Sequence, residues 1–357
     1  MGVPLYRTNI MNFILRTAAA ALVSATALTG SALAEAKTDF KVAWSIYVGW
    51  MPMGYAADSG IMDKWADKYG ISITVDRLDY IPSIEQFTSG EYDAVTATNM
   101  DILAIPGFTN IPTTALIVGD YSNGNDAILT RGGTLESLAG AEVNLVELSV
   151  SQYLADRAAM IKGFEPMIPV NTSDADMAAL WLAGGTDAVV TWNPIVAELE
   201  AVYATRVFDS SMIPGEIIDM VNVNSAVLAD NPAFGKALVG AWYEVMALMS
   251  SDTPEGEAAR EEMAVASGTD LAGYDFQLAS TEMFYDGTGG VALASSEELK
   301  ATMEIVHDWL LKVTPEDLLP VEPVGVAYPD GSTTGAADNV VLTYDPSYMQ
   351  MAVDGAL

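Results

Sequence analysis

Short apolar runs and amphipathic stretches alternate along this chain from residue 39 onward. The run "DFKVAWSI" (39–46) predicts a strand, and "YAADSGIMDKWADKYG" (55–70) predicts a helix that ends at Gly70. The alternation continues to "DAVVTW" (187–192), and from Asn231 to Trp309 the pattern is mostly helical. Strands that alternate with helices are typical of an α/β fold with mainly parallel sheets flanked by helices.

Two seven-residue segments in this pattern resemble each other. "DAVTATN" (93–99) and "DAVVTWN" (187–193) each end a predicted strand where a predicted helix begins. The pair predicts two similarly built lobes. We expect residues 35–128 to start the first lobe, 129–222 to form the second and 223–357 to return to the first, with crossovers near 126–131 and 221–225.

The first 34 residues have the composition of a secretory signal peptide. Two arginines precede a short apolar stretch, and the segment ends in Ala32-Leu33-Ala34. A membrane anchor is the alternative, but the apolar core is short and no charged flank follows it. The chain contains no cysteine, so it forms no disulfide and carries no lipid on an N-terminal cysteine. We therefore expect an exported, periplasmic protein.

The charge of the chain is strongly negative. It has 15 Lys and Arg residues against 48 Asp and Glu, a formal net charge of −33. Nucleic acids and anionic lipids require a basic surface, so neither is an expected partner. The excess acid serves either solubility or the attraction of cations, and charge alone does not decide between them.

Residues suited to hydrolytic or metal chemistry are scarce. His307 is the single histidine, and no Walker loop, G-x-G-x-x-G or G-x-S-x-G sequence occurs. A zinc site without Cys and with one His would be nearly all carboxylate, which is unusual. We expect a protein that is not an enzyme and that holds no metal and no cofactor.

Polar and aromatic side chains collect where predicted strands end. Ligands of open α/β sheets bind beyond the carboxyl ends of the strands, so these side chains are the candidate ligand-binding residues. They are Trp44, Tyr47 and Trp50; Asn99 and Asp101; Asp120, Asn123 and Asp126 in "VGDYSNGND"; Glu147; and Thr191, Trp192 and Asn193.

Several candidates have simpler alternative roles. Trp44 alternates with apolar neighbours and fits a core position, and Asn99 and Asn193 fit helix N-caps. Asp120 and Asp126 fit turn positions. As a group, however, these side chains favour a ligand cleft.

All the candidate segments fall in stretches without basic residues. Those stretches are 42–63, 78–130, 132–156 and 163–205. A phosphate or sulfonate site usually recruits Arg or Lys, and the carboxylates here would repel an anion. Tyr and Trp faces add cation–π attraction of about 0.5–2 kcal/mol per contact. The pattern favours a cation or a neutral hydrogen-bond donor.

Longer segments resemble a known family. "AWSIYVGWMPMGYAADSGIMDKWADKYGI", "TATNMDILAIP", "ALIVGDYSNGNDAI", "VNLVELSVSQYL" and "AVVTWNP" are similar to solute-binding proteins of ABC importers of the nitrate/sulfonate/taurine type. The similarity is greatest to the branch encoded beside urea carboxylase.

This resemblance implies a two-lobed periplasmic-binding fold of type II with the ligand in the interlobe cleft. It implies a monomer that captures guanidinium or urea and delivers it to an ABC permease in the inner membrane. It assigns the candidates up to Asp101 to the first lobe, and Glu147, Thr191, Trp192 and Asn193 to the second. On this basis Glu147→Gln is expected to weaken a cationic ligand.

Two other functions stay open at this point. The wider family binds nitrate- or sulfonate-like anions, which the gaps in basic residues disfavour. An enzyme of amide or pyrimidine metabolism on the same fold would need a His or Cys near the cleft, and the candidate segments contain neither.

Overall fold

Two β-sheets organise residues 37–357, the part of the chain that the computed structural model describes. The predicted signal peptide, residues 1–34, lies outside the described residues. The first sheet has nine strands, which are β1 (Asp39–Trp44), β2 (Ser72–Arg77), β3 (Ala94–Thr98), β4 (Thr113–Ser122), β10 (Ile218–Asn224), β11 (Thr281–Met283), β12 (Gly325–Ala327), β13 (Thr333–Gly335) and β14 (Val340–Tyr344).

The second sheet is smaller and comes from the middle of the chain. Its strands are β5 (Asp126–Thr130), β6 (Glu142–Leu145), β7 (Ile168–Asn171), β8 (Ala188–Trp192) and β9 (Thr205–Asp209), in the order β7-β6-β8-β5-β9. The first sheet runs β13-β12-β14-β4-β10-β3-β1-β2, and β11 pairs with β4.

Helices connect and flank these strands, as the alternating sequence pattern predicts. The α-helices are α1 (Met51–Asp58), α2 (Ile61–Tyr69), α3 (Tyr80–Thr88), α4 (Asn99–Ile102), α5 (Val150–Lys162), α6 (Asp174–Leu182), α7 (Ile195–Ala201), α8 (Ser225–Asp230), α9 (Pro232–Met249), α10 (Pro254–Ala266), α11 (Leu271–Leu278), α12 (Thr288–Ala294), α13 (Glu297–Val313) and α14 (Ser347–Val353). Within residues 37–357, none of the helices combines the length and apolar character needed to cross a bilayer.

Both sheets are mixed, although mainly parallel sheets were expected. Strand β1 pairs in parallel with β2 and β3, but β10 runs antiparallel to β3 and β4. In the second sheet β5 runs antiparallel to β8 and β9. Strands β11 and β13 are also antiparallel to their partners β4 and β12. Strands β5 and β10 are the first strands after the chain changes sheets. Each of these two strands begins at the cleft edge of its sheet. Neighbouring strands end at that edge, so the two directions are opposite.

The chain changes sheets slightly earlier than predicted. The first passage is residues 123–125 and the second is 210–217, between β9 and β10. The predicted crossovers at 126–131 and 221–225 instead lie mostly within β5 and at the end of β10. Both strands extend to the cleft edge, and sequence pattern alone does not show where a strand leaves one sheet for another.

The two similar segments lie in different sheets. "DAVTATN" forms β3 in the first sheet and leads into α4, and "DAVVTWN" forms β8 in the second sheet and precedes α7. The internal similarity therefore marks corresponding strand-to-helix junctions on the two sides of the cleft.

Four side-chain hydrogen bonds join α5, which follows β6, to the returning chain, and two of them belong to an ion pair. Arg157 donates from Nε and Nη2 to the two carboxylate oxygens of Glu216, at 2.7 and 2.6 Å. The Tyr153 hydroxyl donates to the same carboxylate at 2.6 Å. Both charged side chains are 14% exposed, so solvent screens the pair only weakly.

We expect Arg157→Ala to lower the free energy of unfolding by about 3–5 kcal/mol, because it leaves the Glu216 carboxylate nearly buried and without a counter-ion. The matched control is Lys64→Ala, since the ion pair of Lys64 with Glu244 is much more exposed and its loss costs under about 1 kcal/mol. Urea unfolding of both variants measures the difference. Equal losses would show that the Arg157 pair contributes no more than a surface pair.

Candidate functional site

A small cavity lies between the two sheets. Its walls on the first-sheet side are Tyr47, Trp50, Tyr80, Thr98 and Asp219, and on the second-sheet side Asp126, Val150 and Trp192. The cavity volume is about 10 Å³, roughly that of one water-sized sphere. A solute of several heavy atoms therefore enters only when the walls move apart.

Four aromatic rings form a continuous wall of this cavity. Trp50 stacks on Tyr80 with ring centroids 5.5 Å apart, and Tyr47 meets Trp50 edge-on at 5.0 Å. Trp192, from the end of β8, meets Tyr80 edge-on at 5.3 Å. Its indole nitrogen points back to the carbonyl oxygen of Ile46 at 3.5 Å. The wall thus spans both sheets, and its ring faces attract cations.

Two aspartates lie side by side behind the aromatic wall. Asp120 and Asp219 face each other across the antiparallel pair of β4 and β10, and both are buried. The Tyr47 hydroxyl donates to Asp120 Oδ1 at 3.0 Å. A Cβ atom at Gly49 would lie 2.5 Å from Asp120 Oδ2, so only glycine permits this close approach.

Two further aspartates complete the acidic side of the site. Asp126 begins β5 and lines the cavity from the second sheet. Asp101 lies in α4 and accepts hydrogen bonds from the Tyr80 hydroxyl at 2.5 Å and the Thr98 hydroxyl at 2.7 Å. It also accepts the backbone N–H of Val150, at the start of α5, at 3.4 Å. A carboxylate on one side of the cleft therefore contacts a helix N-terminus on the other.

Burial disfavours the ionised form of these carboxyl groups. It raises the pKa of Asp101 to about 6, although the Tyr80 and Thr98 hydroxyls act in the opposite direction. It raises the pKa of Asp126 to about 7. The pKa of Asp219 is raised well above its usual range, first by burial and then by the neighbouring charge of Asp120.

Several polar atoms at the site lack a partner among residues 37–357. They include one carboxyl oxygen each of Asp101, Asp120 and Asp219, and the indole N–H of Trp50. None of the described Lys or Arg side chains lines the cavity. Buried carboxyl oxygens without a partner are costly, so the site is suited to a molecule that brings N–H donors and positive charge.

The structure brings six predicted residues together in or beside the cavity. Tyr47, Trp50, Asp126 and Trp192 line it directly. Asp120 accepts a hydrogen bond from Tyr47, and Asp101 accepts one from Tyr80, which also lines the cavity.

Three predicted residues have structural contacts instead. Trp44 packs against α1, where a Cβ at Gly54 would lie 2.2 Å from its ring. Asn99 binds the second passage, donating to the Glu216 carbonyl at 3.1 Å and accepting from the Ile218 N–H at 3.1 Å. Asn193 accepts the Ala197 N–H at 3.0 Å, as an N-cap would.

The remaining three lie outside the cavity walls. Asn123 is half-buried in the first passage, where its backbone N–H donates to the Ser280 carbonyl. Thr191 is buried on β8, beside Trp192. Glu147 is exposed, and its backbone N–H binds the Asn171 side chain. The structure therefore does not bring the exposed Glu147 carboxylate together with the other candidate acids at the cavity.

Two important residues of the cavity are absent from the sequence-based set. Tyr80 is the first residue of α3, two residues before Pro82. Proline is tolerated in the first helical turn, so the helix begins earlier. Asp219 stands in the apolar run "IIDMV", and a lone carboxylate in a buried strand was the available signal for it.

In the part of the chain that the structure describes, no three His, Cys, Asp or Glu side chains are placed to hold a metal ion. The aspartates are instead combined with aromatic rings, which favour an organic cation.

Comparisons with known proteins identify the fold. No protein-family model matches the chain, and no curated protein matches it. Several solved structures do. The alkanesulfonate-binding protein SsuA from Xanthomonas axonopodis pv. citri, bound to MOPS, matches with a TM-score of 0.63 at 16% identity, over 81% of this chain and 98% of that one.

Two other solved structures also match the chain. The periplasmic aliphatic sulphonate binding protein SsuA from Escherichia coli has a TM-score of 0.62 at 18% identity and covers 79% of this chain and 94% of its own. The periplasmic nitrate-binding protein NrtA from Synechocystis PCC 6803 has a TM-score of 0.56 at 13% identity, with coverages of 90% and 99%. The chain therefore has the two-lobed α/β fold of periplasmic binding proteins.

Proposed function

We propose that this protein is the periplasmic solute-binding component of an ABC importer and that it captures guanidinium or urea. Its two lobes close over the solute and carry it, as a monomer, to a permease in the inner membrane. The fold, the signal-peptide-like N-terminus and the cavity between the sheets support this role. Closure of two lobes around a ligand is a common hinge motion.

The observation that carries the proposed ligand is the composition of the cavity wall. Aromatic rings and carboxyl groups surround it, and the described basic side chains lie elsewhere. Guanidinium is planar, carries positive charge and has N–H donors on every edge. It can pair with a carboxylate through two parallel hydrogen bonds and stack on a ring face. Urea offers the same planar shape with fewer donors and no charge.

An anionic ligand is the second candidate, because the similar solved structures are named for sulfonates and nitrate. A helix N-terminus such as that of α5 would hold an anion. In this chain, however, the N–H of Val150 is directed to the carboxylate of Asp101. The protein thus already supplies an anion at that position, and Asp126 and Asp219 would repel another.

Calorimetry tests the proposed ligand. The purified chain is titrated separately with guanidinium chloride, urea, taurine and sodium nitrate at one ionic strength. We expect heat and saturation with guanidinium or urea and neither with the two anions. Tight binding of taurine or nitrate without a response to either nitrogen compound would overturn the proposal.

A further inference from the structure

The cavity contains more acidic groups than a single small cation neutralises. The titratable side chains that face it or its walls are Asp101 from α4, Asp120 from β4, Asp126 from β5, Asp219 from β10, Tyr47 and Tyr80. Tyr274 and Tyr285 lie near Asp120 from the helical return segment. Arg260 lowers the pKa of those two tyrosines and is not among the causes of the shifts at the aspartates.

The arrangement of Asp120 and Asp219 requires a proton when the site is empty. The two residues are register partners on adjacent strands, and both are buried. Burial raises the pKa of both carboxyl groups, and the charge of Asp120 raises the pKa of Asp219 further. Two carboxylates offer acceptors alone, so they stabilise each other by a hydrogen bond only if one of them carries a proton. Like charges this close, removed from water, do not both ionise.

Asp126 places a third carboxyl group against the same space. It lines the cavity together with Asp219, from the opposite sheet. Its charge acts on both Asp120 and Asp219. Ionising all three without a counter-ion would concentrate negative charge in a desolvated site, so the empty site retains protons on this group.

We propose that the site takes up its cationic ligand in exchange for a proton held by the Asp120, Asp126 and Asp219 group. This rests on the proposed function, and it narrows the ligand class to a guanidinium-like cation. On entry of the cation, an O–H bond of one carboxyl group breaks, the proton passes to solvent, and the new carboxylate pairs with the ligand. The charge inside the closed site is then unchanged.

Exchange of a proton for the ligand predicts a different pH dependence for guanidinium than for urea. Releasing one proton per ligand makes the affinity fall tenfold for each pH unit below the range in which the group titrates. A neutral ligand displaces no charge and leaves the protons in place. Guanidinium affinity therefore depends on pH in a way that urea affinity does not.

The test is calorimetry of guanidinium chloride into the full chain, in two buffers of equal pH but different ionisation enthalpy. The difference in heat gives the number of protons released, and we expect about one near pH 7. The dissociation constant is also measured from pH 5 to pH 8 and should fall as the pH rises. In Asp126→Asn the proton release should shrink, with folding checked by circular dichroism. The wild-type measurements stand even if that variant fails to fold.

The possible results distinguish failure of the proposed proton exchange from failure of the proposed function, on which the exchange rests. Guanidinium binding with equal heats in both buffers and an affinity independent of pH would overturn exchange and leave the proposed function intact. Binding of urea without binding of guanidinium would also overturn the proton exchange and leave the proposed function intact. Failure of both nitrogen compounds to bind at any pH would overturn both proposals.

Discussion

Asp219→Asn is expected to weaken guanidinium binding by about 10- to 100-fold, the effect of removing one charged hydrogen-bond partner from a buried site. Asp219 lines the cavity and has a buried carboxyl oxygen without a partner among the described residues. The substitution preserves shape and removes the negative charge that would face the cation. Isothermal titration calorimetry of the variant and the wild type measures the change.

The folding of this variant should not suffer. Burial and the neighbouring Asp120 hold the pKa of Asp219 well above its usual range. In the empty protein the substitution therefore replaces a neutral acid by a neutral amide, and it should leave the midpoint of thermal unfolding unchanged or higher. Loss of binding in a stable protein would therefore report on the site itself. A variant that binds guanidinium as tightly as the wild type would remove Asp219 from the ligand contacts.

Glu147→Gln is the matched control, since it also replaces one carboxylate by its amide. Glu147 is exposed, so we now expect this change to leave the affinity unaffected, contrary to the expectation from sequence. Equal losses in the two variants would indicate that the overall negative field of the protein, and not contact at the cavity, governs binding.

The empty protein is expected to be more stable near pH 5 than near pH 8. Burial raises the pKa of Asp101 to about 6 and that of Asp126 to about 7, against 3.8 for the unfolded chain. Between pH 4 and pH 7 the folded state therefore binds more protons than the unfolded state. Its stability falls as the pH rises through this window. The loss is on the order of 3 kcal/mol for each group.

Chemical unfolding at pH 5, 6, 7 and 8, without ligand, measures this slope. The acidic surface of the whole chain acts in the same direction through self-repulsion, so a variant is needed to separate the two effects. Asp126→Asn should flatten the slope, and added salt should reduce only the surface contribution. Stability that rises from pH 5 to pH 8 in the wild type would contradict the burial of these acids.

The fold follows from the sequence because the hydrophobic pattern repeats over many elements. The internal similarity of β3 and β8 even places one strand in each sheet. The hydrophobic pattern does not show, however, at which residue a strand leaves its sheet or in which direction it runs. The crossovers were therefore misplaced by several residues, and the antiparallel direction of β5 and β10 was missed.

The site was predictable where a strand end coincided with the cleft. Tyr47, Trp50, Asp126 and Trp192 satisfied that rule and line the cavity. Glu147 satisfied it too but is exposed, because the end of a strand does not fix the direction of the side chain that follows. Asp219 was missed because it lies near the start of a strand, which the rule does not examine.

The contact of Asp101 with the first N–H of α5 has a consequence for competition by salts. A carboxylate that is part of the chain is present at an effective concentration in the millimolar range or above, independent of the medium. Dissolved chloride, sulfate or phosphate must displace it before reaching that helix terminus. A protein exported to a compartment of changing ionic composition would thus keep its capture of solute insensitive to which anions surround it.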